Sequence, residues 1–261
     1  MVDALDASQR DAFLEEFKTA VEKVMPGLAE RENVLEGLVS PGDWVMHVTP
    51  MDSQAPKGRL ILPQVMTLRS ALDAGCRNVV VKENEFASAL ADLKSAPRLL
   101  VCDSQVVEKV MAALPQEIFC TTYSILMARM KGGLEELAAG AAAIGNLRDG
   151  DRVLVAEVCT HHAGDEDIGR VKIPNLLKRR TGKSLEFDFV SGRDFLDTKR
   201  PALIVHCGGC MATRGEMQAR IKRAREAGIQ ITNYGVCIAY CQGVLQRALK
   251  PFQTKATDEH G

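Results

Sequence analysis

Residues 202–211, Ala-Leu-Ile-Val-His-Cys-Gly-Gly-Cys-Met, carry an apolar run straight into two cysteines separated by two glycines. The 202–205 run reads as a buried strand, and the glycines let the chain turn tightly enough to bring both sulfurs to one centre. A second segment has the same form: Val153-Leu-Val-Ala156 reads as a strand and leads into Glu157-Val-Cys159-Thr-His161-His162. In open α/β sheets ligands bind beyond the carboxyl ends of strands, so cysteines far apart in the chain are predicted to converge on one crevice.

Outward from these segments, strands and helices alternate. Residues 44–48, 79–81, 99–102 and 185–190 read as further strands, and 65–74, 87–93, 106–114, 134–144, 174–180 and 217–227 as helices, the last opened by the capping box Thr213-x-x-Glu216. This pattern predicts an α/β protein of two consecutive domains, each a mainly parallel sheet flanked by helices, after an N-terminal helix. The spacing of Phe13, Phe17, Val21 and Val24 gives a helical lead-in over 1–38, with an α/β domain over 39–146. The polar turn Asn146-Leu-Arg-Asp-Gly150 opens a second domain over 147–261. No strict internal repeat is visible, and shared alternation by itself does not establish duplication.

The 33 Lys and Arg against 34 Asp and Glu remove the net-charge basis for nucleic acid or an anionic membrane as the main partner. With 46% hydrophobic residues among 261, the chain can bury a substantial core. No apolar run approaches the roughly 20 residues of a membrane span. The opening Met1-Val-Asp-Ala-Leu-Asp lacks the basic-then-apolar order of a secretory signal, so a cytoplasmic location is expected. Eight cysteines in such a chain read as reduced thiols and metal ligands rather than a disulfide framework.

Cys159, Cys207 and Cys210 form a set of three soft ligands, and the thiolate count alone does not choose between an iron-sulfur cluster and zinc. The bland alternative is packing of small thiols. Cys237 and Cys241, four apart, read as buried packing on one helical face, and Cys76, Cys102 and Cys120 as structural. His47 and His162 read as polar or orienting groups, and Ile125-Leu-Met-Ala-Arg-Met130 as core or subunit contact. The basic helix with Arg214, Arg220, Lys222, Arg223 and Arg225 is explained equally by a solvated face or by docking of an acidic partner.

Cys159-x-His161, followed after a long spacer by His206-Cys207-x-x-Cys210, resembles the signature of the HydF family of FeFe-hydrogenase maturation scaffolds. The resemblance extends through Asp167-Ile-Gly-Arg-Val-Lys-Ile-Pro174 and Ile231-Thr-Asn-Tyr-Gly235, and upstream through Ala55-Pro-Lys-Gly-Arg-Leu-Ile-Leu-Pro-Gln64 and Asp103-Ser-Gln105. It implies a dimerisation domain followed by a cluster domain, in a homodimer. It also implies a 4Fe-4S cluster on Cys159, Cys207 and Cys210, with an exchangeable fourth ligand for which Glu166 is the first candidate and His206 and His161 follow. The family receives a diiron H-cluster precursor carrying carbon monoxide and cyanide and delivers it to the FeFe-hydrogenase apoprotein, in contact with radical-SAM maturases. Arg170 and Lys172 are expected to hold this anionic fragment by charge-assisted hydrogen bonds, although solvated basic residues at a helix start explain them as well.

Family members normally begin with a GTP-binding domain, and this sequence contains no G-x-x-x-x-G-K-S/T loop. Gly182-Lys183-Ser184 imitates its end, but Leu177 stands where the first glycine belongs, so a helix-terminating turn is expected there. A scaffold or carrier without GTP turnover of its own follows, and not an enzyme. Two zinc readings compete with it: a hydrolase or deaminase using Glu157 or Glu166 as general base, and a structural interaction module. The hydrolase lacks any compact His-Glu-x-x-His element.

Overall fold

The alternating pattern folds into two four-stranded sheets, both entirely parallel, in a computed structural model that describes residues 8, 10–24, 33–50, 60–158, 167–192, 200–210 and 212–253. Helix α1 (Arg10–Val24) belongs to a separate unit, residues 1–33, in which the Phe13 and Phe17 rings stack with centroids 6.0 Å apart. The expected lead-in helix does not extend over residues 34–38. These make a turn with Gly37 at φ +70°, and Val34, Leu35 and Leu38 are buried against the first sheet.

The first half runs β1 (Trp44–Val48), α2 (Leu62–Asp73), β2 (Arg77–Val81), α3 (Phe86–Asp92), β3 (Leu99–Cys102), α4 (Val107–Ala113), β4 (Phe119–Thr122), α5 (Tyr123–Met130) and α6 (Leu134–Ala142). The second runs β5 (Arg152–Glu157), α7 (Ile173–Thr181), β6 (Glu186–Ser191), β7 (Leu203–His206), α8 (Arg214–Glu226), β8 (Gln230–Asn233), α9 (Tyr234–Cys241) and α10 (Leu245–Leu249). Their strand orders match, β2-β1-β3-β4 and β6-β5-β7-β8. Each sheet therefore has a switch point, between β1 and β3 or between β5 and β7, where a crevice opens at the strand ends.

The match reaches individual bonds. Asp43 Oδ2 accepts from Ser40 N at 2.8 Å and Asp151 Oδ2 from Arg148 N at 2.7 Å, each beside a glycine at positive φ, Gly42 and Gly150. Asp103 N donates to Val48 O, and Cys207 N to Ala156 O in the corresponding place. Ile118, Thr121, Tyr123, Ala128, Gly132 and Leu134 recur as Ile229, Thr232, Tyr234, Ala239, Gly243 and Leu245. The halves are structural copies. Strands β4 and β8 escape sequence reading because Phe-Cys-Thr-Thr and Gln-Ile-Thr-Asn carry no apolar run.

The copies also exchange their last helices. Helix α6 of the first half lies against β8 of the second, and α10 of the second against β4 of the first. Arg247 of α10 donates to Met111 O at 2.5 Å, Leu114 O at 2.8 Å and Pro115 O at 2.8 Å, satisfying carbonyls at the end of α4. One buried cluster consequently runs from Met46 and Leu100 to Leu154, Ile204 and Val236.

The outer strands β2 and β6 differ in character. Beside β2, Val80, Leu62, Val65 and Leu72 are exposed. On β6, Glu186 and Asp188 pair with Arg152 at 3.2 and 2.8 Å. Gly182 ends α7 in the left-handed conformation, as the turn reading requires. Among the described residues no helix is long and apolar enough to cross a membrane.

A Cβ at Gly140 in α6 would lie 1.9 Å from Ile231 O, a backbone atom with no freedom to retreat. Gly140→Ala, which should favour a helix by about 1 kcal/mol, is therefore expected to destabilise the protein by at least about 2 kcal/mol. Urea denaturation checks the sign.

Candidate metal centre

The cysteine loop stands over the second switch point. β5 and β7 are neighbours with Ala156 beside His206, and Cys207 N donates to Ala156 O at 2.7 Å. Val158 N then donates to Cys207 Sγ at 3.3 Å, so the end of β5 and the start of the Cys-x-x-Cys loop meet. Cys207 is half-buried and Cys210 exposed, and neither forms a disulfide. Cys159, His161 and Glu166 lie outside the described residues. Among the described residues no group of three or more His, Cys, Asp or Glu gathers in metal-holding geometry.

His206, fully buried, has both ring nitrogens engaged. Arginine only donates, so Arg220 Nη1 at 3.1 Å makes Nε2 the acceptor, and Nδ1 carries the proton it gives to Cys207 O at 2.6 Å. Burial above all pushes the imidazole pKa down to about 4, with the charges of Arg220 and Lys131 acting the same way. The ring is a neutral prop behind the cysteine loop.

Lys131, at the end of α5, reaches across from the first half and donates from Nζ to Gly209 O, although only 5% of the residue is exposed. Arg220, 3% exposed, also donates from Nη2 to Gly192 O at 2.5 Å. Sequence reading left Arg220 on an exposed basic helix, either solvated or docking an acidic partner, and its burial corrects both. The signal against that was available, since Met217, Arg220, Ile221 and Ala224 fall on one helical stripe and all are buried. Lys131 carried no comparable signal.

Glu157, at the end of β5, is 5% exposed. Oε1 accepts from Tyr234 OH at 3.1 Å and Oε2 from Ser191 Oγ at 3.4 Å, with Arg170 Nη2 at 3.9 Å. Burial and the Glu157 charge raise the Tyr234 pKa, keeping its hydroxyl protonated to donate. A π-helical turn, Ile168–Lys172, fits over this pair: a Cβ at Gly169 would stand 2.1 Å from Tyr234 OH. The turn positions both expected cargo residues. The Arg170 guanidinium lies 5.2 Å over the Phe189 ring, and Lys172 Nζ donates to Gln105 Oε1 of the first half.

Of the remaining cysteines, Cys76, Cys102, Cys120 and Cys237 are buried. A hydrogen bond with Cys241 and burial push the Cys237 thiol up, while Cys237, Arg180 and Arg179 lower that of Cys241. His47, buried, has Nε2 2.7 Å from Asn78 Oδ1, an orienting contact.

Two family models match the chain. Hydrogen maturase F dimerization domain covers residues 34–132, and Hydrogen maturase F tetramerization domain covers residues 135–251. Together they span most of the sequence. No curated protein matches it.

Gly209 sits at φ +57°, with Met217 Sδ 2.6 Å from where a Cβ would be, whereas nothing lies within 4 Å of one at Gly208. Thermal unfolding is expected to show Gly209→Ala destabilised by about 1–3 kcal/mol, and Gly208→Ala within about 0.5 kcal/mol of the parent.

Proposed function

This chain belongs to the hydrogen maturase F family and has a role in hydrogenase maturation, and from that premise we propose that it is a scaffold holding a 4Fe-4S cluster on Cys159, Cys207 and Cys210. The supporting observation is the bond from Val158 N to Cys207 Sγ, because Val158 is the residue before Cys159. It fixes the chain entering the first cysteine beside the sulfur of the second. The donor set suits a soft metal: two thiols on a glycine turn, neither in a disulfide, one receiving a backbone N–H.

When bound, the cluster supplies a fourth iron whose ligand exchanges. With both nitrogens of His206 engaged, Glu166 and His161 are the preferred candidates for that corner. The cargo is a diiron precursor, and Arg170, its side chain 43% exposed beside the strand end, supplies an anion contact. Lys172, held by Gln105 Oε1, is the second basic group on this turn. The zinc hydrolase reading loses its described base, since Glu157 is buried and engaged by Tyr234 and Ser191.

Self-association uses the β2 edge. Helices α6 and α10 cover β8 and β4, and β6 is charged, so the apolar surface of Val80 with Leu62, Val65 and Leu72 takes a second copy. The hydrogenase apoprotein and radical-SAM maturases are the transient partners.

Anaerobic reconstitution is expected to give a brown protein with close to four irons and four sulfides per chain by the cluster's own formula, and Cys207→Ala or Cys210→Ala to lose it. Stoichiometric zinc in a colourless, air-stable protein rejects the scaffold. For the edge, Val80→Lys with Leu72→Glu is expected to halve the mass seen by sedimentation, and an unchanged mass rules this surface out.

A further inference from the structure

Two buried cations support the Cys207–Cys210 loop, and we infer that Lys131 and Arg220 are positioning residues that hold its ligating shape and raise the reduction potential of the cluster on it. The inference deepens the scaffold reading and rests on it. Lys131 takes the Gly209 carbonyl, and Arg220 takes the Cys207 carbonyl through His206. A trans peptide points its N–H opposite to its C=O. Fixing these two carbonyls therefore turns the Gly208 and Cys210 N–H groups to the side of the loop away from the cations, where sulfur can accept them.

The chain builds this reach deliberately. Gly132, at φ +73°, ends α5 by donating to Arg129 O at 2.8 Å, and Gly133 N donates to Ala128 O at 3.1 Å. Both glycines admit α8 at close range: a Cβ at Gly132 would stand 2.6 Å from Gln218 Nε2, and one at Gly133 2.3 Å from Ile221 Cδ1. The duplicated half supplies an internal control. Its matching turn, Gln242-Gly243-Val244, makes the same two bonds, Gly243 N to Tyr240 O at 3.0 Å and Val244 N to Ala239 O at 2.9 Å, without any cation. Closing the turn does not require lysine, which points to the contact with Gly209 as the reason for it.

A fixed positive charge beneath an anionic cluster favours the added electron, while a clamp on the loop limits its opening. Lys131→Gln is the decisive variant because Gln242 already closes the equivalent turn. In the reconstituted protein, redox titration is expected to show the equilibrium constant for one-electron reduction falling about tenfold, a downward shift of about 59 mV. In the metal-free chain, amide hydrogen exchange across residues 206–210 is expected to speed at least about tenfold. Lys131→Arg restores the potential, and Arg220→Lys keeps it while loosening the loop. Unchanged exchange in Lys131→Gln overturns the clamp, and an unchanged potential at full cluster content overturns the electrostatic role. Failure of the wild-type chain to take up a cluster instead rejects the scaffold reading and the potential with it, leaving the metal-free exchange to decide the clamp.

Discussion

A helix backbone laid directly against a strand backbone, Gly140 on Ile231, ties the two copies into one body. Each half completes its own sheet but ends in a helix that packs on an edge strand of the other, α6 on β8 and α10 on β4. The energetic consequence is a shared core, in which apolar burial stabilises both sheets together. The chemical consequence is that side chains of the first half, Lys131 and Gln105, become part of the surroundings of the second half's switch point.

Around that switch point, polar groups are arranged in pairs that fix one another. Tyr234 holds Glu157, and the tightly packed Gly169 turn holds Arg170 near the same carboxylate. His206 is held neutral by burial so that it accepts from Arg220 and donates to the cysteine loop. Such a set costs desolvation and returns a fixed orientation of the groups around the Cys207–Cys210 loop.

Much of the architecture was legible in the sequence. Short aliphatic runs separated by amphipathic stretches announce parallel strands with covering helices, and Thr213 caps α8 by accepting from Glu216 N, as its spacing foretold. The duplication was not legible, because its identities are scattered and the matched features are backbone bonds at Asp43 and Asp151 rather than a repeated motif. Spacing singled out Cys207 and Cys210 as a pair on one loop. The groups that contact their loop were less plain: Lys131 lies in a different half of the chain, and Arg220 was marked only by sharing a helical stripe with Met217, Ile221 and Ala224. Long-range packing decides such positions, and periodicity reports only which side of a helix a residue occupies.

The two open sheet edges also differ in what they permit. A strand bearing Glu186 and Asp188, locked to Arg152, repels a second copy of itself, whereas the valine-rich β2 does not. Of these two described rims, the valine-rich one is the less guarded against hydrogen-bonding to a further strand.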